Sequence, residues 1–152
     1  MPLKARITDD MKAAMRARET ARLSTIRLLL AAIKQREVDE RKEVTDTEVL
    51  AIIEKMVKQR KDSVSQFEAG HRLDLADAER AEISVLQGYM PAQMGDAEID
   101  AAIDAAVASV KAGGVATGPA AMGKIMAELK PVLAGRGDMA AVSARVKAKL
   151  AG

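Results

Sequence analysis

Hydrophobic residues along this chain recur every three or four positions, which is the spacing of one face of an α-helix. Seven segments carry such a stripe, beginning with the one that contains Leu3, Ile7, Met11 and Ala14. Runs of β-branched residues, which would favour strands, are absent. The pattern therefore predicts an all-α protein.

The first half of the chain is predicted to form a four-helix domain over residues 1–90. Its second helix, at about residues 19–39, has the widest apolar stripe, and we expect it to be the most buried of the four. The third helix runs from Asp46 to Ala69 and stops at Gly70. The fourth, from about Asp74 to Gly88, follows a short connection, so it should fold back against the third as a long helical hairpin.

One charged residue, Arg60, falls on the apolar face of the third helix. A guanidinium among apolar neighbours needs a carboxylate partner, because an unpaired buried charge is costly. Counting outward from the turn near His71 places Arg60 opposite Glu82, with Glu79 close by. We therefore predict a structural ion pair between Arg60 and Glu82 or Glu79.

The second half of the chain is predicted to be a small three-helix domain. Pro91 cannot continue the fourth helix, so residues 91–95 form a linker and residues 96–152 form the domain. Asp96 should cap the first of its helices, Gly118 and Pro119 should begin the second, and Asp138 should cap the third. Pro131 should end or kink the middle helix. Three short helices enclose little core, so we expect this domain to be the less stable one and mobile about the linker.

Composition limits the compartment and the chemistry. The chain has no cysteine, so disulfide and thiolate chemistry are excluded. Its longest apolar run, residues 28–33, is far shorter than the roughly 20 residues needed to cross a bilayer. We therefore expect a cytoplasmic protein with no membrane segment.

Charge is unevenly distributed, although the net charge is only +2. Nine basic and three acidic residues lie between Lys4 and Arg36, and seven acidic and two basic residues follow between Glu37 and Glu54. A basic surface over the first helices would attract an anionic partner such as RNA. Solvated faces of exposed helices explain the same alternation, and both interpretations stay open.

No catalytic, metal or cofactor site can be recognised in the sequence. Residues from Gly118 to Lys124 match the spacing of a phosphate loop, but Ile125 follows where a hydroxyl is needed and no strand is predicted before it. With His71 as the only histidine, and without cysteine, a histidine-rich or thiolate metal site cannot form within one chain. We therefore expect no catalytic residues, no metal and no cofactor.

Few side chains are available for base stacking or for an adaptable groove. Phe67 and Tyr89 are the only aromatic residues and both fall on predicted apolar faces, so any RNA contact should be made to phosphates and shape. Methionines such as Met122, Met126 and Met139 would suit an adaptable protein-binding groove. Their positions on the apolar stripes favour core filling over a groove.

Two ordered groups of residues are specific when taken together. The first group spans the hairpin and consists of Lys58, Gln59, Arg60, Lys61, Asp62, Ser63, Phe67, Gly70, Arg72, Asp74, Leu75, Glu79, Glu82, Leu86, Tyr89, Met90 and Pro91. The second group lies near the C-terminus and consists of Met122, Gly123, Lys124, Met126, Gly135, Arg136, Asp138, Val142 and Leu150. On these residues essentially the whole chain resembles the GatB/YqeY family, and in length it is similar to a free-standing YqeY protein. His71 in the usual glycine–arginine turn and Met90 in place of leucine depart from the family pattern.

The resemblance implies an N-terminal helical domain followed by a three-helix domain similar to the tail of the B subunit of tRNA-dependent amidotransferase. In that enzyme the tail helps to hold the mischarged tRNA, while the chemistry resides in other parts of the complex. The family association with carbon–nitrogen ligase activity, with glutamine as amido-N-donor, is therefore inherited by resemblance and has no visible catalytic residues here.

Three hypotheses follow from the residues and the resemblance together. The first is a tRNA-binding accessory module that meets phosphates with basic side chains, namely Lys34, Lys58, Lys61, Arg72 and Lys124. The second is a participant in amidotransfer, which glutamine-dependent amidation of a glutamyl- or aspartyl-tRNA by the isolated chain would support. A requirement for amidotransferase subunits as protein partners would reduce it to the first. The third is a protein-interaction adaptor without RNA or catalytic role, which presents Met122, Met126 and Met139.

Overall fold

The computed structural model describes residues 2–114 and 118–151 of the chain. Within these ranges it contains helices and no strand, which confirms the all-α prediction. The helices are α1 (Leu3–Ala17), α2 (Thr20–Glu40), α3 (Asp46–Ala69), α4 (Leu73–Gln87), α5 (Asp96–Ala112), α6 (Gly118–Leu133) and α7 (Met139–Ala151). The chain divides into two compact units, Met1–Met90 with α1–α4 and Pro91–Gly152 with α5–α7.

The first unit is built around the antiparallel hairpin of α3 and α4. Thr45 caps α3, since its hydroxyl accepts the Glu48 backbone N–H at 3.2 Å. The core of the unit consists of aliphatic side chains from all four helices, among them Ile7, Ile26, Leu29, Ile33, Val49, Ile53 and Leu86, each fully buried. The apolar periodicity thus identified the inward faces of these helices.

Helix α2 is not the most buried helix of this unit, so that expectation was wrong. It buries Thr25, Ile26, Leu29 and Ile33, whereas α3 buries five residues. Leu28, although apolar, is 46% exposed. The apolar stripe of α2 is wider than the surface that its neighbours cover, so part of it faces solvent.

Three of the helix connections use non-glycine residues with left-handed backbone. The φ angle is 57° at Arg18 after α1, 53° at Arg41 after α2 and 58° at His71 between α3 and α4. Glycine is the usual residue at such positions because it has no Cβ to clash with the following carbonyl. Each of these turns therefore carries local strain.

The segment predicted as a linker is hydrogen-bonded to the second unit. The Gln93 side chain donates to the Gly135 carbonyl at 2.7 Å, and Arg136 Nε donates to the Ala92 carbonyl at 3.1 Å. The Met94 N–H also donates to the Arg136 carbonyl at 2.8 Å. Residues 92–94 are thus held by the turn that joins α6 to α7.

The second unit has a compact aliphatic core of its own and a row of surface ion pairs. Its fully or nearly fully buried residues include Ile103, Ala121, Ile125, Leu129, Leu133, Val142 and Val146. On the surface, Arg145 of α7 pairs with Asp96 at 2.9 Å and Asp100 at 3.2 Å of α5, and Lys149 pairs with Asp104 at 2.5 Å. Pro131 lies inside α6, which continues to Leu133, so of the two alternatives the proline does not end the helix, and the kink stays a prediction.

Candidate nucleic-acid interface

Arg60 belongs to the interior of the hairpin. Its Nε donates to Glu82 Oε2 at 2.8 Å, and its Nη1 donates to the Met56 carbonyl at 3.2 Å. The side chains of Arg60 and Glu82 are 15% and 31% exposed. Of the two carboxylates considered as partners, Glu82 and not Glu79 accepts the hydrogen bond. Arg60 therefore links α3 to α4.

Two of the predicted phosphate contacts, Lys58 and Lys61, are exposed on α3. Residues three apart on a helix are surface neighbours, so these two lysines form a short basic row. Lys55, which also is exposed, extends it by one more step of three. We call Lys55, Lys58 and Lys61 the α3 lysine row. Within the described residues none of the three forms an ion pair, so their charges face solvent.

Lys55 was missing from the predicted site, although its spacing of three from Lys58 was a usable signal. The helix geometry explains why the row is outward. At about 100° per residue, Lys58 lies roughly opposite the face that buries Val49, Ile53 and Met56.

Lys34 is exposed on α2, apart from the α3 lysine row. It lines a shallow depression of about 350 Å³ with Lys4 and Glu37. Within this depression Lys4 Nζ donates to both carboxylate oxygens of Glu37, at 2.7 and 3.0 Å, and the Val44 N–H donates to the same carboxylate at 3.2 Å. These bonds, together with the positive charges of Lys4 and Lys34, lower the pKa of Glu37. Lys34 is therefore beside a carboxylate that stays ionised.

Arg72 is exposed at the start of α4 but already has a carboxylate partner. Its Nε and Nη2 donate to the two oxygens of Asp74 at 3.1 and 3.0 Å. This bidentate pair raises the pKa of Arg72 and lowers the pKa of Asp74. A phosphate would have to compete with Asp74 for the guanidinium, so Arg72 is a weaker candidate than Lys58 or Lys61.

Lys124 lies in the second unit, exposed on α6 and without an ion pair in the described part of the chain. The five candidates therefore occupy different elements: Lys34 on α2, Lys58 and Lys61 on α3, Arg72 at the start of α4, and Lys124 on α6. Only Lys58 and Lys61 share a helix face.

The two aromatic side chains do not offer stacking platforms. Tyr89 is 6% exposed, its hydroxyl donates to Asp10 Oδ2 at 2.6 Å, and the Arg6 guanidinium lies 5.1 Å from the centre of its ring. Burial, with the bond to Asp10 as a smaller cause, raises the pKa of Tyr89 well above its ordinary value. Phe67 is half-buried on α3. These positions favour contacts to phosphates over contacts to bases.

Several other kinds of site can be assessed in the same way. Over residues 2–114 and 118–151, no group of three or more histidine, cysteine, aspartate or glutamate residues could hold a metal ion. His71 is exposed in its turn. No helix in these ranges is long and apolar enough to span a membrane.

The phosphate-loop match and the methionines have structural roles. Gly118 and Pro119 begin α6, and residues 115–117 lie outside the described ranges.

Met122, Met126 and Met139 are half-buried and pack against the core of the second unit. Their side chains are thus partly used in holding this unit together.

Comparison with known proteins gives a family. The family model described as "Yqey-like protein" matches residues 4–150. A protein of Lachancea thermotolerans named "Altered inheritance of mitochondria protein 41, mitochondrial" is 37% identical over 101 residues, which cover 64% of this chain and 54% of that protein. A protein of the same name from Pyrenophora tritici-repentis is 32% identical over 128 residues, which cover 82% of this chain and 70% of that protein.

A third protein of that name, from Kluyveromyces lactis, is 38% identical over 89 residues, covering 58% of this chain and 48% of that protein. This chain thus spans about half the length of the Lachancea and Kluyveromyces relatives, at 54% and 48%. The family match, by contrast, extends over nearly the whole chain. On that match, the chain belongs to the YqeY-like protein family.

Proposed function

We propose that this protein is a tRNA-binding accessory module that contacts backbone phosphates and contributes no catalytic residues of its own. Its family is the first support, because the resemblance to the tail of the amidotransferase B subunit implies contact with tRNA. The α3 lysine row is the second, because it supplies exposed positive charge along one helix.

The observation that carries the proposal is the unpaired state of Lys58 and Lys61. Both ammonium groups are exposed, and within the described residues neither has a carboxylate within 4.0 Å. An unpaired lysine can meet a phosphate without first breaking an ion pair, and the cations that the nucleic acid then releases favour binding. A paired cation such as Arg72 must also give up its carboxylate, so its contribution should be smaller.

The wider biological setting belongs to the same proposal. The carbon–nitrogen ligase activity associated with the family, with glutamine as amido donor, would require amidotransferase subunits as partners of this chain. A reducing compartment such as the cytoplasm is consistent with the absence of cysteine.

The test is a salt series with purified tRNA. Wild-type protein and Lys58→Ala/Lys61→Ala are titrated against labelled tRNA by fluorescence anisotropy at several salt concentrations. The logarithm of the binding constant should fall linearly with the logarithm of the salt concentration, and the double variant should reduce the slope by about 1.5, as expected for two lost phosphate contacts. Lys147→Ala, at an exposed and unpaired lysine of α7, is the matched control and should leave the slope unchanged.

Two results would contradict the proposal. One is the absence of tRNA binding at micromolar protein, and the other is an equal slope for wild type and the double variant. A parallel assay measures glutamine-dependent amidation of misacylated tRNA by the isolated chain, and turnover there would contradict the claim that this chain carries no catalytic residues.

A further inference from the structure

The outward face of α2 carries a second stripe that follows the seven-residue repeat of a coiled coil. Its positions alternate in steps of three and four along the helix and are occupied by Ala21, Ser24, Leu28, Ala31, Gln35 and Val38. All six are exposed, with Leu28 at 46% and Val38 at 58%. We call these six residues the α2 seam. At 1.5 Å per residue the seam is about 26 Å long, enough for nearly five turns of a partner helix.

The seam lies on the other side of α2 from the core. Ile26, Leu29 and Ile33 face inward and are fully buried, yet Leu28 and Val38 are apolar as well. A helix with apolar side chains on opposite faces is typical of a helix covered on both sides. In this unit only one side of α2 is covered, so the helix has room for a neighbour.

One border of the seam is basic. Arg27 and Lys34 lie seven residues apart beside it, and Arg41 follows after another seven at the end of the helix. In the described part of the chain none of these three cations forms an ion pair. Charges that flank a coiled-coil seam determine which partner is accepted, so the facing border of the occupant should carry carboxylates.

The shape of the seam also selects its occupant. Ala21, Ser24 and Ala31 are small, and a shallow groove of about 390 Å³ runs beside Ser24, Arg27 and Leu28. Small residues on one helix leave space for larger side chains from the other, as in knobs-into-holes packing. The partner should therefore provide leucine-like side chains.

We propose that the α2 seam binds an amphipathic helix of another protein, with leucine-like side chains in a three–four repeat and glutamate or aspartate along the edge that faces Arg27 and Lys34. A second copy of this chain fits less well. An antiparallel pair of α2 helices would place the basic borders against each other, and a parallel pair would have to engage the opposite border, where Thr25 is only 2% exposed. This inference does not depend on the proposed tRNA binding, although Lys34 occurs in both.

The test uses a designed peptide as probe. It is a fluorescently labelled 21-residue helical peptide of three heptads. Each heptad has Leu at its two seam positions and Glu at the two positions that flank the seam, and repulsion between the Glu side chains discourages self-association of the peptide. The matched probe has Lys in place of Glu. By fluorescence anisotropy, the Glu peptide should bind wild-type protein about tenfold more tightly than the Lys peptide.

Substitutions then locate the binding surface. Arg27→Glu/Lys34→Glu should reverse the preference between the two peptides, and Leu28→Asp should abolish binding of both. Leu73→Asp, at the apolar residue of α4 that is 61% exposed, is the control and should change neither affinity. All these positions are exposed, and circular dichroism checks that each variant folds.

Several results would overturn the inference. Equal affinity for the two peptides would remove the role of charge, and unchanged binding by Leu28→Asp would place the peptide elsewhere. Sedimentation of the wild type as a dimer that Leu28→Asp converts to a monomer would assign the seam to a second copy. Loss of tRNA binding in Leu28→Asp would assign it to RNA, whereas Lys58→Ala/Lys61→Ala should weaken tRNA binding and leave the peptide affinity unchanged.

Discussion

The Arg60–Glu82 ion pair allows a quantitative prediction for the stability of the hairpin. Glu82→Gln keeps the size of the side chain and removes its charge, so the guanidinium keeps only neutral acceptors, an amide oxygen at position 82 and the Met56 carbonyl. Exposed ion pairs contribute about 0–1 kcal/mol, and breaking a fully buried pair costs about 3–5 kcal/mol. Since the two side chains are 15% and 31% exposed, we expect Glu82→Gln to lower the free energy of unfolding by about 1.5–2 kcal/mol.

The assay is urea denaturation followed by tyrosine fluorescence. The chain has one tyrosine and no tryptophan, and Tyr89 is buried in the core of the first unit, so this signal reports the unfolding of that unit. The matched control is Glu68→Gln, which removes one carboxylate from Arg80 on the surface of the same hairpin, where both side chains are 45% exposed. It should cost less than about 0.5 kcal/mol, because exposed pairs are screened by solvent and Arg80 retains Asp77.

A companion variant separates charge from packing. Arg60→Met/Glu82→Leu replaces the pair by apolar groups, and such replacements are often neutral or stabilising. The double variant should therefore recover most of the stability that Glu82→Gln loses. The reasoning would be refuted if Glu82→Gln cost no more than Glu68→Gln, or if the double variant were as unstable as Glu82→Gln.

Two further predictions concern a turn and an acid-sensitive contact. His71→Gly should raise the free energy of unfolding by about 1 kcal/mol in the same assay, because the φ of 58° is strained for histidine and free for glycine; an unchanged or lower stability would contradict the strain argument. Because the pKa of Glu37 is lowered in the folded state by Lys4 and the Val44 N–H, this carboxylate stabilises the first unit above its ordinary pKa near 4.5, and the contribution is lost as the pH falls through the folded-state pKa. Lys4→Met should therefore make stability fall less steeply with decreasing pH than in the wild type. The measurement is the urea denaturation midpoint of both proteins from pH 7 to pH 3, and an equal dependence of the two midpoints on pH would contradict the prediction.

Local rules were sufficient for the helices and for the hairpin register. A short connection leaves one antiparallel arrangement, so counting from His71 was enough to bring Arg60 opposite Glu82. They were not sufficient where partners are distant in sequence. Residues 91–95 were predicted as a linker because Pro91 cannot continue α4, and the local pattern does not reveal their hydrogen bonds to Gly135 and Arg136, more than forty residues away.

The candidate site could be predicted only in part. Periodicity puts Lys58 and Lys61 on the outside of α3, but it does not reveal that Arg72 is held by Asp74 two residues later. Nor does it show which face of a broadly apolar helix will be covered. The width of its apolar stripe suggested that α2 would be the most buried helix, and Leu28 is exposed because coverage depends on the arrangement of neighbouring helices.

The surface pairs between α5 and α7 mean that ionic strength acts on this protein as well as on any complex it forms. Arg145 and Lys149 reach Asp96, Asp100 and Asp104 through solvent-accessible side chains, and dissolved salt screens such attractions. Raising the salt concentration will therefore loosen the support of α7 while it weakens the proposed contacts to phosphate. Binding measured at several salt concentrations therefore needs a thermal melting curve at each of those concentrations. Without it, a salt-dependent change in the stability of the second unit would be misread as counterion release on binding.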